Sequence, residues 1–340
     1  MRLPMRLFGL RTLAVCVTLA PVFGRAPALA QVAVQPSASE QELRSALAVR
    51  GLRVTDVRIL NGDPQQFGTY AGFSLLPVTI PDGIVLSTGL VSSVIPTADT
   101  QVPDYDPSWP PEYLRADLQS GTTTEFTDYG MQTGAIFNFY SVNDVASVEI
   151  TFELDEPGNV KFDFVFGSVE FPYWTSAYTD AFVAFVDGVT PTDQVSFDPN
   201  GAAIQVGQSF ASLVTLNDSN TAFSSPHGLI RKLTTTTPVL EDGEHTIRFE
   251  VGDVNDGILD SAVFIANLRA EAGDPGTDQS PPDDCVADFD RDGSVTGADL
   301  AMLLMNWGPG HAYDIDEDDW IGGSDLSMVL LEWGECPAQR

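Results

Sequence analysis

Two segments near the C-terminus place carboxylates at a spacing that can wrap a hard cation. The first reads Asp288-Phe289-Asp290-Arg291-Asp292-Gly293-Ser294-Val295-Thr296-Gly297-Ala298-Asp299. The second, starting 26 residues later, reads Asp314-Ile315-Asp316-Glu317-Asp318-Asp319-Trp320-Ile321-Gly322-Gly323-Ser324-Asp325. In a twelve-residue calcium loop the ligands come from positions 1, 3, 5, 7, 9 and 12, because alternate residues turn oxygen inward as the backbone circles the ion. Asp288, Asp290, Asp292, the Ser294 carbonyl, Thr296 and Asp299 fill those places in the first loop. Asp314, Asp316, Asp318, the Trp320 carbonyl and Asp325 fill them in the second, where Gly322 leaves position 9 to water. Gly293 makes the sharp turn at position 6, whereas Asp319 stands there in the second loop, so the second site is expected to bind more weakly. A single Asp-rich loop would read as a solvated acidic turn. Two with one spacing, an apolar residue at position 8 and the same following segment predict two calcium ions.

Those following segments run from Leu300 to Trp307-Gly308 and from Leu326 to Trp333-Gly334. Each predicts a short helix with one apolar face, stopped by its glycine in the C′ place, the two helices packing on each other. The backbone at Val295 is expected to pair with the sister loop. Lacking a full entering helix and ending each loop in Asp rather than Glu, residues 285–337 resemble a type I dockerin with two EF-hand-type loops. That resemblance implies a small α-helical module that docks on a cohesin-like or envelope scaffold protein. Gly297-Ala298 and Gly323-Ser324 stand where dockerins often carry the Ser-Thr pair that meets cohesin. Cys285 and Cys336 flank the segment and are expected to form a disulfide clasping its ends, which needs their α-carbons within about 7 Å.

A second group of acids, Asp253, Asp256 and Asp260, falls within eight residues just before an apolar run. Three carboxylates in one turn repel unless they are separated, hydrogen-bonded or bridged by a cation. With Glu170 and Asp180 they could form a third metal site; the alternative is that they cap turns through nearby amides. Beside Glu170 the stretch 171–178 gathers Tyr173, Trp174 and Tyr178, which could stack on sugar rings or simply cover a sheet edge. The histidines, His227, His245 and His311, lie in no metalloprotease, nucleophile-elbow or phosphate-loop pattern, and His227 reads as a surface-loop residue. No enzyme is therefore expected. A polysaccharide hydrolase working through a carboxylate pair is the catalytic alternative.

The elements that must position these residues are mostly strands. Apolar and polar residues alternate over 147–154, 160–166 and 245–251, and the continuous apolar runs 181–186 and 262–265 suit strands covered on both faces. Gly, Pro, Asn and Asp punctuate them, so a mainly β, sandwich-like (jelly-roll-like) domain is expected over 31–272. One helix, over 40–49 and capped by Ser39 or Ser37, is predicted near its start. The linker 273–284, GDPGTDQSPPDD, has no large apolar residue to bury and should be extended. Val160-Lys161-Phe162-Asp163-Phe164-Val165-Phe166-Gly167-Ser168-Val169-Glu170-Phe171-Pro172 and Thr179-Asp180-Ala181-Phe182 look like the FxYVFGSEEYP and NDAF signatures of choice-of-anchor L domains. Segments 83–89 and 252–264 resemble the same family, and Val169 stands where the family usually has a further Glu beside Glu170. The resemblance implies a β-rich bacterial surface domain joined to an anchoring tail.

Residues 1–30 read as a secretory signal peptide: Arg2, Arg6 and Arg11, an apolar stretch over 13–23, and Ala28-Leu29-Ala30 before the cut. The stretch is shorter than the roughly 20 residues that span a bilayer, so no transmembrane anchor is expected after cleavage. Removing this leader with its four arginines takes the formal charge from -32 to about -36. Such a chain repels nucleic acid and anionic lipid and suits calcium. Together these features predict a secreted or surface-held bacterial protein, attached or assembled through its tail, with polysaccharide binding as an alternative activity.

Overall fold

Apolar runs too brief for long helices, separated by turn-forming residues, can bury their faces by pairing as strands in layers. The computed structural model describes residues 32–75, 78–95, 106, 108–207, 210–215, 221–224, 226–272, 287, 289, 294–309, 313, 320–331 and 333–335. Over these the protein is mainly β, with two large sheets and few helices. The larger sheet has nine strands. Its main path runs Ala33–Pro36, Phe67–Ala71, Asp82–Ser87, Ser261–Ala272, Gly158–Ser168, Gly228–Ile230 and Val214–Thr215. The smaller orders its five strands as Ile204–Gln205, Ala181–Val186, Gly243–Val254, Val142–Leu154 and Arg53–Asn61. Pairing is antiparallel throughout both, except where Val49–Arg50 runs parallel to Leu268 and Arg269.

The two sheets share one core. Phe162 of the larger sheet meets Phe249 of the smaller edge-on with centroids 4.9 Å apart, and Phe164 meets Phe182 at 5.0 Å. Alternation at 147–154 puts Val148, Ile150, Phe152 and Leu154 into this layer. The runs 181–186 and 262–265 are buried on both faces because each sheet is also covered from outside. Phe73, Val91 and Leu114 lie over the larger sheet, and a helix, Thr124–Thr133, lays Phe126 and Tyr129 over the smaller one. The sequence reading missed that helix, whose 124–133 stretch carries a glycine and several threonines, poor helix formers. Its start is held by Thr123, whose hydroxyl accepts the Phe126 amide at 3.2 Å.

The expected N-terminal helix is present but shorter, Glu40–Ala46. Ser39 caps it in a capping box with Glu42, and Leu43 is buried beneath. It stops before residue 49 because Leu47 is extended and Val49 is taken into the larger sheet.

In the tail, two helices occur where expected, Gly297–Met305 and Gly323–Leu331. Val295 does not pair with the sister loop. It pairs with Gly334, past the second helix, while Ile321 pairs with Gly308, past the first. This exchange corrects the role of both glycines as well. They adopt positive φ (125° each) within these two short ladders, three residues beyond the helix ends, instead of serving as C′ stops. Ala287, Val295, Leu303, Ile321 and Val329 form the core of this segment. The predicted leader 1–30, the linker 273–284, Cys285, Cys336, His311, Asp288, Asp290, Asp292, Asp314, Asp316 and Asp318 lie outside the described residues.

Candidate functional site

Antiparallel register brings four strand ends together at one end of the two-sheet layer. In the larger sheet Ser168 stands opposite Ser261, and the Val169 amide donates to the Asp260 carbonyl at 3.2 Å. Glu170 therefore leaves one strand where Asp260 enters its neighbour. In the smaller sheet Ala181 stands opposite Gly252, which sets Asp180 beside Asp253. Each sheet thus contributes two acids, and Asp256 adds a fifth from the turn leading to Asp260. Glu170, Asp180 and Asp253 are wholly buried and Asp260 is 3% exposed.

Only part of this acidity is satisfied by the protein. Asp180 accepts the Val254 amide at 3.0 Å and the Ser261 hydroxyl at 2.6 Å, and Asp260 Oδ1 accepts the Ala116 amide at 3.0 Å. Both oxygens of Glu170, both of Asp253, Asp260 Oδ2 and Asp256 Oδ1 are buried with no hydrogen-bond partner. The Asp180 amide leans toward Glu170 and the Thr88 hydroxyl toward Asp253. Neither closes a hydrogen bond of good geometry, and Thr88 faces the Ser261 carbonyl at 3.4 Å. Removal from water, then mutual repulsion, pushes the carboxyls of Glu170 and Asp253 well up; the repulsion comes from Asp180 and Asp256 at Glu170 and from Asp180 and Asp260 at Asp253. Burial likewise raises Asp260 far above the ordinary range, Asp180 to about 7 and Asp256 to about 6. Among the described residues no three such side chains already converge as a finished metal cage. Gly89 makes room for the cluster, since a β-carbon there would lie 2.0 Å from Asp260 Oδ2.

The family model for the choice-of-anchor L domain matches residues 32–268, more than half of the chain. The chain belongs to the choice-of-anchor L family. Membership places it among bacterial surface or secreted proteins, and among the described residues no helix is long and apolar enough to cross a membrane. No curated protein and no solved structure matches the chain.

Within the choice-of-anchor L domain, Glu170 leads straight into the aromatic stretch. Its carbonyl accepts the amides of Tyr173 and Trp174, each at 2.9 Å, and Tyr178 turns back to the Trp174 carbonyl at 3.1 Å. Trp174 donates its indole N–H to the Ser108 carbonyl at 2.9 Å and meets Tyr178 edge-on at 6.2 Å. Tyr173 remains 46% and Trp174 37% exposed. On the far side of the turn a recess of about 470 Å³ is lined in part by Asp117, Asn143, Asp144 and Asp256. Asp144 is no ligand in waiting there, because the Leu118 and Ser120 amides hold it at 3.0 and 2.7 Å.

His227 corrects the sequence reading. It is 1% exposed, with Nδ1 3.0 Å from the Phe171 carbonyl, and burial lowers its pKa. The aromatic turn folds over it, which no local pattern announces. His245 sits on its strand with Nδ1 2.6 Å from Asp187. The sequence reading also missed Thr88, Gly89, Ala116 and Ser261 around the cluster. Thr88 and Gly89 fall within the motif 83–89 and Ser261 within 252–264, but neither segment announced their contact with the acids, and Ala116 reaches Asp260 from a loop with no local signal.

In the tail the described ligand candidates turn inward. Asp299 is buried and accepts the amides of Phe289 and Thr296, both at 2.8 Å, and buried Asp325 accepts the Gly322 amide at 2.7 Å. Ser294 and Trp320 lie in the two short ladders, so the backbone carrying each position-7 carbonyl is extended.

Proposed function

We propose that the protein is a non-catalytic surface or matrix component whose tail binds two calcium ions and docks, as a dockerin does, on a cohesin-like or envelope scaffold protein. The observation that carries this reading is the reciprocity of the tail: position 8 of each loop pairs with the glycine that follows the other repeat's helix. An acidic appendage without a binding role has no need of such a matched exchange. The position-12 residues support it too, since Asp299 and Asp325 are both buried, as the closing residues of such loops are. Asp288, Asp290, Asp292, Asp314, Asp316 and Asp318 would supply the remaining charge. The test is calorimetric titration of calcium into the leader-free chain and into an Asp288→Ala/Asp314→Ala variant. Wild type should take up two more equivalents than the variant, and a purified type I cohesin should capture it only with calcium present. Equal uptake by the two proteins would end the calcium reading of the tail, and calcium uptake without capture would end the docking one.

Carbohydrate binding is a second reading with its own observation. The indole of Trp174 is pinned by Ser108 while more than a third of the residue stays exposed, a rigid aromatic face of the kind sugars stack on. Retention on an insoluble glycan that disappears in Trp174→Ala and Tyr173→Ala would favour it; retention unchanged by both would exclude this face. For the hydrolase alternative, two carboxyls must flank a bound sugar. Glu170, Asp180, Asp253 and Asp260 are buried at strand ends, away from any sugar, which favours a role without catalysis.

A further inference from the structure

The way this domain treats its other buried acids makes the five-carboxylate cluster unusual. Glu250 receives two hydroxyls, from Thr123 at 2.9 Å and Ser147 at 2.8 Å. Asp163 is met by Thr234, Asn267 and Arg269. Among the described residues, six of the twelve buried side-chain polar atoms without a partner belong to Glu170, Asp253, Asp256 and Asp260. They stand at neighbouring strand ends of both sheets and on the turn between, and among the described residues no ion pair includes any of the five acids. An isolated buried carboxylate costs several kcal/mol even after the protein relaxes, and several together repel.

We infer that this end of the β domain is a calcium-class cation site, in which Glu170 and Asp253 each offer two oxygens, and Asp256 and Asp260 one each, to a divalent ion bridging the sheets. The donor set decides the class of ion. Six oxygens and no sulfur or nitrogen suit a hard cation, and calcium accepts six to eight oxygens in irregular geometry, with carboxylates binding through one or both atoms. Magnesium demands a near-ideal octahedron and holds on to its waters, for which a sealed strand-end site has little place. Asp180 is not among these ligands, its oxygens being occupied by Val254 and Ser261. Arg115, whose charge reaches Asp260, offsets part of the remaining excess. Because the side chains do not enclose a common centre, binding requires these carboxylates to turn inward onto the ion. An ion so held joins Glu170 and Asp260 of one sheet to Asp253 of the other, and domain stability then rises with external calcium by mass action.

This site is independent of the tail, so it is tested with the tail loops disabled. The leader-free Asp288→Ala/Asp314→Ala protein is titrated with calcium alone by calorimetry, and its melting temperature is followed with calcium, magnesium or chelator. The expected result is one further calcium equivalent and a melting temperature raised by calcium more than by magnesium. Adding Glu170→Gln and Asp253→Asn, which keep shape while removing charge, should abolish both effects. Should that protein fail to fold, Asp256→Asn, on the half-buried turn, is expected to weaken calcium binding by about tenfold or more. No uptake and no thermal shift in the tail-disabled protein would overturn the inference and leave the acids sharing protons instead. Uptake unchanged by the neutral substitutions would overturn it as well. Loss of equivalents between wild type and the tail variant reads the tail, and loss between the tail variant and its neutralised form reads the cluster.

Discussion

Glu250 and Glu170 are both fully buried glutamates, and they meet burial in different ways. Two hydroxyls hold Glu250, yet loss of water still pushes its pKa from 4.5 up to about 7; Arg248 draws it down and Glu125 pushes it up. Between those two values the folded chain keeps a proton that the unfolded chain has released, so this group's contribution to stability is full below about pH 4.5 and declines as pH rises to about 7. Glu250→Gln removes that slope. In chelator, the difference in unfolding free energy between wild type and variant should move by up to about 3 kcal/mol across the window, the wild type losing ground as pH rises. Parallel curves from urea melts at several pH values would show that Glu250 is not the source. The acidic residue types at 170, 180, 253, 256 and 260 were legible in the sequence, which left a cation site and turn caps as alternatives. Which of the acids are satisfied was not, because the Ala116 amide comes from a distant loop and the Ser261 hydroxyl from the opposite sheet.

At the scale of elements, local signals were read well where they are self-contained. Ser39 and Glu42 form a capping box three residues apart, a relation that needs nothing else in the fold. Ser39→Ala should cost about 1 kcal/mol in urea unfolding at constant m-value, and no measurable loss would mean the cap contributes nothing to global stability. Alternation and apolar runs located the long strands for the same reason. The helix Thr124–Thr133 escaped notice because it is held by what it covers: Phe126 and Tyr129 rest on Val183 and Phe185 of the smaller sheet. Val295 and Ile321 were recognised as matching apolar residues at position 8, but the partner of each lies some forty and thirteen residues away, respectively.

Over the whole molecule, sixteen basic residues against forty-eight acidic ones make self-repulsion a standing cost of compactness. Salt shortens its reach from about 30 Å at 0.01 M to about 3 Å at 1 M. The melting temperature of the leader-free protein in chelator should therefore rise with sodium chloride over that range, and rise less once calcium is bound. A salt-independent melting temperature would mean that the acids are spaced too widely to repel.

The sequence by itself determined the class of the domain, its family signatures, the repeated spacing of carboxylates in the tail and the overall acidity, since all of these depend on residue type and short-range periodicity. Only the tertiary structure decided that Glu170, Asp180, Asp253 and Asp260 meet, because that follows from the register of strands up to ninety residues apart. It also decided that His227 is buried and that the tail repeats exchange their short strands. Burial turns those same carboxylates from solvated surface charge into an incompletely partnered cluster, and burial is a property of the assembled sheets that no single strand carries.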